Sequence, residues 1–346
     1  MNYGMHTIHI QQNIPLAPYT TLGVGGQAEY FCEVANEHEL REAIQWAQEN
    51  KHSVTILGGG SNVLVSESGV RGLVIRVSFF ERVYTSVDTI STEVTVGAGM
   101  LLNDFVGELV SKKLWGLENL SAIPGTVGAV PVQNVGAYGV EVADVITKVS
   151  VYDMATNSVV DLSREACAFG YRDSIFKKEE GKRYIIVSVT FMLSNVPNPK
   201  LAYKDIQEYF IGETVVDILR IREAIIAIRA LKFPDWNVVG TAGSFFKNPI
   251  ISKSEFERLQ NLYPDLPGFP NEEGNIKISL GYILDKVCNL KGHREGRVGL
   301  YEKQALVLVC DKGTSWSEVY NFSEKIIEKV FQKTGIRIER EVTVME

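Results

Sequence analysis

Apolar and polar positions along the chain divide it into segments of clear period. Across residues 36–50, Leu40, Ala43, Ile44 and Ala47 recur at the spacing of one helical face, and Asn36 with Glu39 forms a capping box at the start. Two short apolar runs, 54–57 and 73–77, read as strands and flank Gly58-Gly59-Gly60-Ser61-Asn62. Together these predict a β–α–β unit with a glycine loop between strands. A Rossmann turn differs, because there the glycines open directly into a helix. From residue 83 to 193 strands dominate, at 94–98, 146–153 and 184–193, with one helix at 101–112. Pro197 and Pro199 among turn formers mark a boundary at 196–199. Beyond it, 214–230 is predicted helical, with Ile218, Ile221, Ile225 and Ile228 on one face. Helices follow at 254–262 and 279–287, then a buried strand at 305–310 and a long helix at 315–334. Residues 336–344 read as an alternating strand, with Arg337, Glu339, Glu341 and Thr343 on one side.

With 346 residues, 45% of them hydrophobic, the chain is long enough for two or three domains with a sizeable core. A formal charge of −7 disfavours a nucleic-acid partner, though not a local basic pocket for phosphate. The four cysteines, Cys32, Cys167, Cys288 and Cys310, form no paired motif and read as buried reduced thiols. Among the five histidines no metal-ligand spacing occurs, so no metal site is expected; His6 and His9 fall near the terminus. No apolar stretch reaches the roughly 18–20 residues that span a bilayer, so no membrane association is expected and the protein is expected in the cytoplasm.

Candidate chemistry lies in loops. The run 123–139, Ile-Pro-Gly-Thr-Val-Gly-Ala-Val-Pro-Val-Gln-Asn-Val-Gly-Ala-Tyr-Gly, is nearly all small residues. Such backbone suits close approach to a large ligand or positive φ; its other reading is a packing seam. The 58–62 loop is either a tight turn or a nest of amides for an anion, with Ser61 and Asn62 adding donors. Two such loops suggest a phosphate-bearing cofactor held by backbone. Gly170-Tyr171-Arg172-Asp173-Ser174 is either a turn with a surface arginine or a site whose guanidinium forks onto a carboxylate. Ser244, between Gly243 and Phe245-Phe246, has no histidine and aspartate at triad positions, so a hydrolase is disfavoured. It remains a hydroxyl donor. Glu339 and Glu341 read locally as two solvated carboxylates on an edge strand.

These segments, in this order, resemble the UDP-N-acetylenolpyruvoylglucosamine reductase family. The resemblance runs over nearly the whole chain: Thr21 to Gly26, the 58–62 loop, the 123–139 loop, 170–174, 243–249, Gln304 to Val307, and Glu339 to Val342. The stretch 262–274 is similar to the longer form of that family. The resemblance implies an α+β chain: an FAD-binding fold of the vanillyl-alcohol-oxidase/p-cresol-methylhydroxylase class with a C-terminal α+β substrate-binding domain. The implied divisions are 1–78 and 79–197 for FAD, and 198–346 for substrate and the C-terminal catalytic strand.

The family's reaction is the reduction of UDP-N-acetylglucosamine enolpyruvate to UDP-N-acetylmuramate in peptidoglycan precursor synthesis. NADPH, as co-substrate, reduces non-covalently bound FAD, and the reduced flavin delivers hydride to the enolpyruvyl group. The carried-over flavin contacts are Gly58, Gly59, Gly60, Ser61, Asn62, Ile123, Pro124, Gly125, Thr126, Gly128, Ala129, Gly136, Ala137, Tyr138 and Gly139. Charge arriving on the substrate carboxylate needs fixed donors; Arg172 and Glu341 match the family's residues for this. Glu341 is expected to be protonated in the complex, its pKa raised by burial and the neighbouring anion. Ser244 matches the proton donor. Substrate contacts carry over to Tyr171, Tyr203, Lys232, Asn248, Phe269 and Gln304. Phe269 stands where the family often has tyrosine, so a hydroxyl contact to phosphate is missing there. A monomer is expected. Two other readings compete. One is a sugar or alcohol oxidase of the same fold, disfavoured because neither glycine loop holds a histidine for covalent flavin. The other is a non-catalytic nucleotide-sugar binder, which would not need Arg172, Ser244 and Glu341 together.

Overall fold

The computed structural model describes residues 8–213, 216–271 and 273–346. The predicted helix start at Thr214, and His6, lie outside the described residues. The chain divides into two compact units, the first comprising residues 1–14, 28–59 and 71–229, the second 15–27, 60–70 and 230–346.

Two larger sheets build the first unit. One has the order Gln11–Pro15, Gln27–Val34, Val70–Val77, Val54–Leu57, with the last two strands parallel. Helix Glu37–Glu49 leads into it. Asn36 caps that helix, its Oδ1 accepting from the Glu39 amide at 3.0 Å. The Glu39 carboxylate reaches back one residue further than a standard box, to the Ala35 amide at 2.7 Å. Leu40, Ala43, Ile44 and Ala47 are all buried, as their period predicts.

The second sheet is antiparallel, in the order Ser158–Ser163, Ile146–Asp153, Tyr184–Ser194, Ser91–Gly97, Arg82–Ser86. Alternate residues Val94, Val96, Val149, Val151, Val189 and Phe191 enter one core with Leu102, Phe105, Val106 and Leu109 of helix Leu102–Ser111. Phe105 and Phe191 meet at 5.6 Å between ring centroids. Helix Ile218–Lys232 adds Ile218, Ile221, Ile225 and Ile228 to the same core, the face its sequence marks. Pro197 and Pro199 lie in a stretch, 195–203, without helix or strand.

The second unit is built on an antiparallel sheet ordered Gly240–Ser244, Val307–Cys310, Val298–Leu300, Arg294–Glu295. A smaller sheet joins Ile250–Ile251, Ile276–Ile278 and Gly268–Pro270. Helix Trp316–Thr334 is capped reciprocally by Ser315 and Glu318 and stops at Gly335, φ 76°. It buries Val319, Phe322, Ile326 and Val330 in one core with Phe245, Phe246 and Leu308.

Two elements differ from their sequence prediction. Residues 279–287 are not one α-helix: the turn Leu280–Tyr282 widens into a π-helical turn, Ile283–Val287, closed by the Cys288 amide on the Ile283 carbonyl at 2.8 Å. Residues 336–344 are not one strand either, because the segment changes partner midway. Lys247 N donates to Glu339 O at 3.0 Å and Glu341 N to Phe245 O at 2.8 Å. Thr343 N then turns to Asn62 O at 3.0 Å, opening the parallel pair Thr343–Met345 with Val63–Val65. No helix among the described residues is long and apolar enough to cross a membrane.

Candidate functional site

In the first unit the two glycine-rich loops meet back to back. A Cβ built on Gly59 would lie 2.7 Å from Gly125 Cα and 3.3 Å from Thr126 N. Gly58 faces Thr126 Oγ1 and Ala129. The 123–139 run is tied down from behind: Val127 N donates to Met100 O at 2.8 Å, Gly128 N to Ala98 O at 2.8 Å, and Leu102 N to Gly125 O at 3.0 Å. Gly125 itself sits at φ 106°, open only to glycine at low cost. Among the described residues the amides of Gly59, Gly125 and Thr126 donate to no protein acceptor. Apposed glycine backbone with amides left to donate is the donor set an anionic diphosphate needs, and a flavin dinucleotide fits it.

Cations stand beside the same loops. Arg229, on helix Ile218–Lys232, donates from Nε to Ala122 O at 3.1 Å, and its side chain also hydrogen-bonds Tyr138. Arg222 Nη1 donates to Ser121 Oγ at 3.0 Å. Burial lowers the pKa of both guanidiniums, though arginine stays charged in any accessible range. Burial pushes the Tyr138 phenol up to about 12. Tyr138 meets Tyr203 edge-on at 5.2 Å, and the Asn119 side chain holds its carbonyl at 2.9 Å. Ile123, Pro124, Gly136 and Ala137 are half-buried, and Gly139 is exposed at a turn.

The structure joins the 170–174 segment to the second half of this loop. Gly170 and Asp173 exchange backbone hydrogen bonds of 3.0 and 3.2 Å, closing a tight turn. Arg172 sits within it at φ 52°, the left-handed region. Its Nη2 donates to Gly136 O at 2.7 Å, and Ser174 Oγ to Val132 O at 2.6 Å. Asn134, only 2% exposed, is the hidden strut: it donates to Glu141 at 2.7 Å and to Gly170 O at 3.1 Å, and accepts from Ala143 N at 3.1 Å. Asn134, Arg222 and Arg229 escaped the sequence reading. The one signal for them was polar residues inside small-residue or isoleucine-rich surroundings. Tyr171 is half-buried, with the Arg172 guanidinium 5.7 Å from its ring.

In the second unit Ser244 ends strand Gly240–Ser244 after a bulge, with Gly243 at φ 70° turning the chain. Phe245 and Phe246, fully buried, anchor the next stretch of chain. The hydrogen bonds of residues 245–247 to 339–341 bring Glu341 beside this strand. Asn62 of the glycine loop holds the same segment, Nδ2 donating to Glu341 O at 3.2 Å. Glu341 is half-buried, whereas Glu339 is exposed and pairs with Lys247 at 3.3 Å. The two carboxylates are therefore not equivalent solvated neighbours, as local sequence suggests.

Of the remaining candidates, Asn248 Oδ1 accepts from Leu280 N at 3.0 Å, and Gln304 Oε1 from Leu306 N at 3.4 Å. Lys232 ends its helix. Phe269 is 56% exposed on strand Gly268–Pro270, and Tyr203 is 44% exposed. All four cysteines are free thiols; Cys32, Cys167 and Cys310 are buried, with burial pushing each up to about 12.

Two family models match the chain. The FAD binding domain matches residues 28–163, and the C-terminal domain of UDP-N-acetylenolpyruvoylglucosamine reductase matches residues 235–345. UDP-N-acetylenolpyruvoylglucosamine reductase of Cupriavidus pinatubonensis is 40% identical over 96% of this chain and 98% of its own. That of Pseudomonas aeruginosa is 38% identical over 97% of this chain and 98% of its own. The crystal structure of the UDP-N-acetylenolpyruvylglucosamine reductase from Thermus caldophilus superposes with a TM-score of 0.68, at 26% identity, covering 98% of this chain and 100% of that one. Similarity at this level over both whole chains shows that this protein belongs to the UDP-N-acetylenolpyruvoylglucosamine reductase family and is an FAD-dependent oxidoreductase.

Proposed function

We propose that this protein reduces UDP-N-acetylglucosamine enolpyruvate to UDP-N-acetylmuramate with NADPH, in the cytoplasmic stage of peptidoglycan precursor synthesis. When bound, FAD supplies the two-electron chemistry that links NADPH to the enolpyruvyl double bond. The glycine loops at 58–62 and 123–139 hold its diphosphate by backbone amides. The fold is of the vanillyl-alcohol-oxidase/p-cresol-methylhydroxylase class, divided at 78 and 197, with residues 198–346 for substrate.

Arg172 forks onto the substrate carboxylate and holds the negative charge that grows there as an enediolate. A protonated Glu341 donates to the same group. Ser244 delivers a proton to the α-carbon; a serine hydroxyl is a weak acid, so placement carries this role. Tyr171, Tyr203, Lys232, Asn248, Phe269 and Gln304 hold the nucleotide sugar. Lys232 meets the diphosphate as a point charge, and Phe269 lays an apolar ring where a phenol would add a hydrogen bond.

The observation that carries this reading is the Glu341 N to Phe245 O hydrogen bond of 2.8 Å. It pairs the backbone of Glu341 with the residue that follows Ser244, which supports reading the two side chains as parts of one site. The experiment is an anaerobic visible spectrum. Yellow protein should bleach with NADPH and regain colour only when the UDP-enolpyruvyl sugar is added. Ser244→Ala should bleach at the normal rate and recover colour slowly. Recovery with oxygen but not with this substrate would move the protein to oxidase chemistry. Loss of both half-reactions in Ser244→Ala would remove serine from the proton step.

A further inference from the structure

Arg340 separates Glu339 from Glu341, and unlike Glu339 it turns inward, its side chain only 16% exposed. Nε donates to Ser323 Oγ at 2.9 Å, and Nη2 pairs with Glu324. The guanidinium lies 4.3 Å over the Tyr320 ring, which stacks on Trp316 at 4.7 Å with planes 21° apart. Its three partners at 320, 323 and 324, with Trp316 behind Tyr320, share one face of Trp316–Thr334. The backbone of Arg340 meanwhile bridges Phe246, between the two hydrogen bonds that pair 339–341 with 245–247.

In extended backbone, neighbouring side chains point to opposite faces, and a slip of one residue exchanges the faces. Holding Arg340 on the helix therefore fixes Glu341 away from it. Ile338 and Val342 flank Arg340 on the same face and are buried, and the guanidinium adds directional partners that apolar side chains lack. Glu339 and Glu341 each stand one step from the arginine, and a slip of two would present the wrong one. A hydrogen bond, an ion pair and an aromatic stack specify one position where a methylene chain would specify none.

We propose that Arg340 is a positioning residue. It locks residues 339–341 in register against 245–247 and thereby fixes where the Glu341 carboxylate points beside Ser244. The lock deepens the proposed reductase function and rests on it for its catalytic meaning.

The test uses the FAD-loaded protein and the variants R340M, S323A, E341Q and R340M/E341Q. Amide hydrogen exchange at Glu341 and Lys247 should quicken in R340M by about 10-fold or more, the loss of a charge-assisted hydrogen bond. Amides of strand Val307–Cys310 should keep their protection, which a general loss of stability would not allow. S323A, which removes a single contact, should move the same amides in the same direction by less, and serves if R340M does not fold. In stopped flow, R340M should bleach normally with NADPH and recover colour slowly with substrate, kcat falling more than KM rises. Added to E341Q, R340M should slow recovery no further. Unchanged exchange at Glu341, or an effect additive with E341Q, overturns the lock. If E341Q alone recovers colour at the normal rate, the catalytic reading of Glu341 fails and takes the purpose of the lock with it, whatever exchange reports.

Discussion

Gly59→Ala tests how the glycine loops work. Gly59 does not occupy the left-handed region, so alanine meets no backbone strain there. Its whole penalty is contact. The new Cβ would stand 2.7 Å from Gly125 Cα, 3.1 Å from Gly125 C and 3.3 Å from Thr126 N, all backbone atoms with no rotamer to yield. Ordinary contact begins near 3.4 Å, so the loops must part by the difference, 3.4 − 2.7 = 0.7 Å. Overpacking of this kind costs about 2 kcal/mol, within a usual range of roughly 1–3. Some of it lowers the stability of the flavin-free protein. The rest appears when FAD draws the loops together, up to about 30-fold in Kd if all of it falls there. Gly58→Ala is the matched control, because its Cβ meets the Thr126 hydroxyl at 3.0 Å and that side chain can turn. Flavin fluorescence quenching gives Kd for each variant, and thermal melts of the flavin-free forms give the remainder. Gly59→Ala with wild-type Kd and wild-type melting would show that the loops are not in obligatory contact, and the cradle of apposed glycines would be wrong.

Two further expectations concern Arg172 and the buried thiols. Arg172→Lys keeps the charge but cannot both hold the Gly136 carbonyl and fork onto a carboxylate, so recovery of flavin colour by substrate should slow by about 10²-fold; a wild-type rate in stopped flow would remove the fork from the mechanism. Burial pushes the thiols of Cys32, Cys167 and Cys310 from 9.0 up to about 12. The unfolded chain releases these protons first, so stability is full below pH 9 and falls as pH rises towards 12; a urea midpoint that stays flat through that window would contradict it.

Local signals are the most legible in this sequence. The 36–50 helix was legible because its cap and its apolar face both lie within a dozen residues, and strands 54–57 and 146–153 because β-branched runs end at turn residues. Strand Val63–Val65 was invisible: three residues carry no period, and its partner lies at the far end of the chain. The π-helical turn at Ile283–Val287 has the same apolar spacing as an α-helix, so only the long hydrogen bond from Cys288 reveals it. In the candidate site the small-residue loops announced themselves by composition. That Gly59 and Gly125 must first make room for each other was not legible, since neither glycine identifies its neighbour. Nor was the support of Arg172, which comes from carbonyls of Asn134 and Gly136, groups every residue possesses. The alternation of 336–344 showed which residues face inward but not that its pairing changes hands at Glu341.

The pairing of Thr343–Met345 with Val63–Val65 also sets a schedule. Asn62 and Glu341 are hydrogen-bonded across 279 residues of sequence. On the ribosome, the first unit has all its strands once residue 194 has emerged, and can begin to fold as a unit while synthesis continues. Strand Val63–Val65 must wait for its partner until residues 343–345 have left the exit tunnel. A contact of such long range forms slowly and late. The segment that carries Glu341 therefore reaches its place beside Phe245 and Asn62 well after the strands of the first unit have been made.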